Sequence, residues 1–169
     1  MSSSTATYRT TGGPNDEAAR LADLIADAAR ERGCTVAVAE SLTSGTIACR
    51  LGAAPDASSW FAGGVIAYAS EVKFKVLDVA RGPVVTARCA VQMARGAALL
   101  LGADLVVAVT GVGGPEPDEG HPAGTVYLAV VRGPDEDVVH YRFDGGPTAV
   151  VEAATVAALR MLSAALHGE

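Results

Sequence analysis

Positive charge, aromatic rings and paired cysteines are all scarce in this chain. Lys and Arg number 13 against 19 Asp and Glu, a formal net charge of −6. No basic field is available to hold nucleic acid non-specifically. Aromatic residues make up 5% of the sequence, too few for a base-stacking surface, so nucleic acid is not expected as a partner. The 3 cysteines, Cys34, Cys49 and Cys89, are widely separated and form no CxxC pair. That excludes a disulfide framework and a zinc site of the usual spacing, and leaves buried free thiols in a reducing compartment as the expectation. His121, His140 and His167 are scattered without ligand spacing and are assigned no catalytic role. No uninterrupted apolar run of membrane-crossing length and no signal-peptide core are apparent, so a cytoplasmic chain without a membrane partner is expected.

What is present is a large apolar fraction, 50% of 169 residues, enough for one substantial core. Residues 1–13 are rich in Ser, Thr and Gly and are expected to be a disordered leader to a domain spanning 14–169. Pro14-Asn15-Asp16-Glu17 is predicted to open a helix, with Ala19, Leu21, Leu24, Ile25 and Ala28 as its apolar stripe and Gly33 as its stop. Strands are predicted at 35–39, 65–68 and 104–109, and a hairpin at 124–131 and 137–143 around Gly133-Pro134-Asp135. Helices are predicted at 44–51, 87–101 (capped by Thr86) and 147–167, with 70–79 short and helical or irregular. The alternation predicts an α/β fold: a single-domain layered sandwich with a mixed, mainly parallel sheet flanked by helices.

Four segments hold polar residues or glycines that a core does not require. Glu40-Ser41-Leu42-Thr43-Ser44-Gly45 follows the first strand, and Tyr68-Ala69-Ser70-Glu71-Val72-Lys73 follows the second. Thr110-Gly111-Val112-Gly113-Gly114-Pro115 follows the third, and His121-Pro122-Ala123-Gly124-Thr125 enters the fourth. Ligands of α/β sheets gather at the carboxyl ends of strands, where three of these segments fall. Each has a plain structural alternative: Ser and Thr are ordinary helix caps, Gly-rich loops are ordinary turns, and a lone lysine is commonly a solvated helix charge.

Taken together and in order, the four segments resemble the C-terminal domain of the competence/damage-inducible protein CinA, a family that includes nicotinamide mononucleotide deamidase. The likeness rests on Ala39-Glu40-Ser41 with Thr43 and Gly45, Tyr68 with Lys73, Thr110-Gly111 with Gly114-Pro115, and Pro122 with Gly124-Thr125-Val126. It runs from about Leu21 to Leu166.

The resemblance implies hydrolysis of a carboxamide without a metal or organic cofactor: nicotinamide mononucleotide and water give nicotinic acid mononucleotide and ammonia. It makes Ser41 the nucleophile and neutral Lys73 the base, relayed through the Tyr68 hydroxyl or acting directly. Glu40, Thr43, Ser44, Gly45, Thr110, Gly111, Gly114, Gly124 and Thr125 are then the substrate-binding set, for a small nucleotide-like substrate. Backbone amides near Thr43 and Ser44, or in the loop after Thr110, are the candidate oxyanion donors. Self-association is also implied, and the apolar 87–101 helix offers surface for it.

The sequence departs from the family pattern in several places. Ser44 stands where the second motif glycine is expected, Ser70 where an asparagine is, and Pro83-Val84-Val85-Thr86 where the family has Gly-Ala-Val-Ser. Arginines suited to a nucleotide phosphate align with Pro147 and Val151, leaving Arg142, Arg88 and Lys75 as candidate substitutes. The alternative reading is therefore a catalytically weak relative that binds a nucleotide-like ligand or acts as an assembly partner.

Overall fold

The computed structural model describes residues 16–168; the expected leader lies outside them. Helix α1, Asp16–Arg32, buries Ala18, Ala22, Ile25, Ala26, Ala28 and Ala29. Of the expected stripe, Ile25 and Ala28 are buried and Leu21 packs on the core, but the face is rotated: Leu24 is 51% exposed and Ala19 faces solvent. The inward alanines let α1 lie close against helix α5, Pro147–His167, and close approach outweighs side-chain size in choosing the buried face.

Strands β1 (Val36–Glu40) and β3 (Leu105–Gly111) form the centre of a five-stranded sheet of order β2-β1-β3-β4-β5. β1 is parallel to β2 (Phe61–Ile66) and to β3, whereas β4 (Thr125–Arg132) and β5 (Asp135–Arg142) are antiparallel additions. The expected mixed α/β sandwich is therefore the observed architecture, with two pairings of each kind. Alternate residues of the central strands enter two cores. Val36, Val38, Leu105, Val107 and Val109 meet α1, α5 and helix α2, Thr46–Gly52. Ala37, Ala39, Val106 and Ala108 meet helix α4, Ala87–Leu101, and Leu77, just beyond helix α3, Ser70–Val76. Burial on both faces explains why β1 and β3 read as continuous apolar runs.

Two boundaries differ from expectation. β2 begins at Phe61 and ends at Ile66, so Tyr68 lies beyond it. Its Gly63-Gly64 hides the strand from propensity, yet a Cβ on Gly64 would stand 2.4 Å from Val38 Cγ2; close packing on β1 decides that residue. Thr110 and Gly111, expected in a loop, extend β3 and pair with Tyr127 and Val126. The expected cap of α4 is present: Thr86 Oγ1 accepts from Cys89 N at 3.0 Å. Helix α5, contrary to the sequence reading, is long and apolar enough to cross a membrane by length and composition. Its Val150, Ala154, Ala158, Leu159, Leu162 and Leu166 instead form part of the core on that side of the sheet.

Candidate active site

At the end of β1 the chain turns through Ser41–Gly45 into α2. Hydroxyl capping of α2 is not what occurs: its cap position is Gly45, with no side-chain bond from that residue. The Glu40 carboxylate reaches forward instead. It accepts from Gly45 N at 2.9 Å, Ile47 N at 3.2 Å and Ala48 N at 2.7 Å. A fully buried carboxylate thus satisfies the open donors of the helix start and sits at its positive end. Glu40 was expected to bind substrate; its oxygens are engaged with backbone and it does not line the cavity described below.

The turn is held in an uncommon backbone shape. Ser44 has φ +51° and Gly45 φ +97°, and a Cβ at Gly45 would meet Ile66 Cδ1 at 2.9 Å. Glycine is needed at the second position, and serine at the first carries left-handed strain that glycine would not. Ser44 is exposed and Gly45 packs under β2, so neither reaches the substrate side. Thr43 is fully buried, and its hydroxyl is without a partner among the described residues.

Lys73 enters from α3 with only 2% of its surface exposed. Its Nζ lies 2.9 Å from Ser41 Oγ, 2.8 Å from the Ala67 carbonyl and 3.1 Å from the Tyr68 carbonyl. Burial pushes the Lys73 pKa down, against smaller opposing effects of Cys89 and Glu119. A neutral amine in this position donates its two N–H bonds to the carbonyls and turns its lone pair to the Ser41 hydroxyl, which then donates to it. Cys89 lies near Lys73, but burial pushes its thiol pKa up, so it remains protonated.

Ser41, Lys73 and Tyr68 line one cavity of about 420 Å³, together with Gly111 and Gly114 of the expected binding set. Tyr68 is 68% exposed. It lines the cavity, and Lys73 Nζ meets Ser41 Oγ directly, a contact that requires no relay through the Tyr68 hydroxyl. Thr110 is not on the cavity wall: its hydroxyl donates to the Val84 carbonyl at 2.8 Å. Gly124 and Thr125 also lie off the cavity. A Cβ on Gly124 would stand 2.0 Å from the Phe143 carbonyl oxygen, and Thr125 Oγ1 donates to the Pro122 carbonyl at 2.7 Å.

Other lining residues were not in the expected set, among them Ser70, Val84, Val85, Glu116 and Asp118. Val84 and Val85 are placed by Glu119, whose carboxylate accepts from Val84 N at 2.8 Å and Val85 N at 2.7 Å. A cross-loop bond between segments 35 residues apart has no local signature in the sequence. Leu42 N and Gly113 N donate to no acceptor among the described residues, and both residues line the cavity. A Cβ on Gly113 would lie 3.8 Å from Leu42 Cβ, so the Leu42 side chain packs beside Gly113. Ser44 N is not such a donor, because it is bonded to the Ser41 carbonyl at 3.0 Å.

The family model of the CinA C-terminal domain matches residues 18–166. A CinA-like protein of Frankia casuarinae is 40% identical over 144 residues, covering 82% of this chain and 33% of that protein. A CinA-like protein of Geobacter sulfurreducens is 41% identical over 139 residues, 79% of this chain and 34% of that protein. The chain therefore spans about a third of the length of these curated relatives. Among solved structures, a competence-damaged protein (CinA) superfamily protein from Klebsiella pneumoniae superposes with a TM-score of 0.86 at 33% identity, over 90% of this chain and 99% of that one. The competence/damage inducible protein CihA from Agrobacterium tumefaciens gives a TM-score of 0.81 at 31% identity, over 95% of this chain and 99% of that one. The ordered motifs, the domain-wide match and the shared fold agree: the chain belongs to the CinA C-terminal domain family.

Proposed function

We propose that this chain hydrolyses a carboxamide of the kind carried by nicotinamide mononucleotide, with Ser41 as nucleophile and Lys73 as general base. The observation that carries this reading is the buried 2.9 Å contact between Lys73 Nζ and Ser41 Oγ, opening on a cavity. An amide is a poor electrophile and a neutral hydroxyl a weak nucleophile, so both an activating base and oxyanion stabilisation are required.

In the first half-reaction the Ser41 proton moves to Lys73 Nζ as Oγ bonds to the amide carbon. The carbonyl oxygen becomes an oxyanion, for which the N–H groups of Leu42 and Gly113, both residues of the cavity wall, are the candidate donors. Protonated Lys73 then gives its proton to the departing nitrogen, and ammonia leaves an ester on Ser41. Water repeats the sequence with Lys73 as base, releasing the carboxylic acid and restoring both side chains. Tyr68 supplies an aromatic wall for a flat ring at the opening. The proposal includes a small nucleotide-like substrate, self-association and a cytoplasmic setting. Leu99 and Leu100 of α4, 87% and 55% exposed, are apolar surface for self-association.

The test is ammonia release from nicotinamide mononucleotide, its riboside and free nicotinamide by the purified chain. Turnover of one of them, abolished in Ser41→Ala with folding intact, is the expected result. A folded protein that releases ammonia from none of the three would favour the binding or assembly reading instead.

A further inference from the structure

We infer that the cavity selects a carboxamide whose remainder is neutral or cationic and carries no phosphate, and that Glu116 and Asp118 set this preference. This rests on the amide-hydrolysis reading and concerns the charge of the substrate alone.

The charges around the cavity carry the inference. Its lining residues include two carboxylates, Glu116 and Asp118, and one cation, Lys73. Lys73 is not available to a phosphate. It is deeply buried, and its Nζ is already engaged with Ser41 and the two carbonyls. Both carboxylates are exposed, and neither is in an ion pair among the described residues. They therefore present net negative charge at the entrance.

The loop bearing them is tied down at two places. Asp118 and His121 exchange backbone bonds of 3.0 and 2.8 Å, and the Glu119 carboxylate grips Val84 N and Val85 N. The acidic rim is a built wall of the site. The candidate replacements for phosphate-binding arginines do not reach it. Arg88 faces a separate hollow with Arg81 and Gln92, and Lys75 is paired with Glu71. Arg142 is absent from the cavity lining, as are Pro147 and Val151. Among the described residues, a phosphate entering here meets two like charges and no free cation on the cavity wall, whereas an N-alkylated pyridinium ring meets two opposite ones.

The experiment compares kcat/KM for ammonia release from nicotinamide riboside and nicotinamide mononucleotide, a pair differing only by the phosphate. The riboside is expected to be favoured by about tenfold or more at low salt, with the gap shrinking as ionic strength rises. In the double variant Glu116→Gln with Asp118→Asn the ratio should fall toward unity. Turnover that favours the mononucleotide, or a ratio unchanged in the double variant, overturns the charge selection and leaves the hydrolase reading standing. Turnover of neither overturns the hydrolase reading. Titration of both compounds into Ser41→Ala then decides the present inference: tighter riboside binding supports it, and equal, weaker or no riboside binding overturns it.

Discussion

Two buried ionisable side chains flank Ser41 and have opposite fates. Glu40, on the α2 side, is enclosed by three backbone N–H donors belonging to the turn and the helix start. Lys73, on the α3 side, has two carbonyl partners and spends its remaining valence on a serine hydroxyl beside a cavity. Both are in the sequence as polar residues near strand ends, and both cost desolvation. What separates them is saturation. A buried charge whose partners are all backbone holds a fold, and one with a proton-exchangeable partner beside a void can do chemistry.

The contrast is sharpest in substitutions. Ser41→Ala and Lys73→Met should each lower amide hydrolysis by about 1,000-fold or more while circular dichroism stays native. Full activity in either would remove the dyad as the basis of catalysis. Glu40→Ala should act on stability first, since it strands two buried donors and a part-buried one; a loss of about 3 kcal/mol is expected in denaturant unfolding. A Glu40→Ala protein as stable as the parent would deny it the capping role assigned above.

The pH dependence addresses Lys73 directly. Its folded pKa is depressed by burial, and the base must be neutral. The hydrolysis rate should therefore rise with pH through that depressed value and then level off. Between the depressed value and the ordinary lysine pKa the unfolded chain binds more protons than the folded one, so stability rises with pH across that window. Lys73→Met should lack this rise, as thermal unfolding at several pH values would reveal. The smallest effect belongs to the turn: Ser44→Gly relieves a φ of +51°. It should stabilise by about 0.5 kcal/mol and leave kcat unchanged, because Ser44 does not line the cavity.

Much of the fold was legible because its signals are local. β1 and β3 are short apolar runs, Thr86 stands three residues before an amide it caps, and Pro147 opens a helix at the position proline favours. That Ser41, Tyr68 and Lys73 line one cavity was legible through ordered motifs. The division of labour around it was not. Thr110 and Glu119 were found holding Val84 and Val85, and no spacing rule connects residues so far apart in the chain. β2 was misplaced for the same reason: Gly63 and Gly64 have poor strand propensity, and only contact with β1 makes them a strand.

By itself the sequence determined the alternating helices and strands, the order of the four polar segments and the scarcity of positive charge, since each depends on neighbours along the chain. Only the tertiary structure decided which polar group meets which. It turned Glu40 into a cap, set Lys73 Nζ against the Ser41 hydroxyl, and placed Glu116 and Asp118 at the cavity's edge. The physical reason is that the role of a buried charge depends on the partners and the dielectric around it, and folding assembles both from distant parts of the chain.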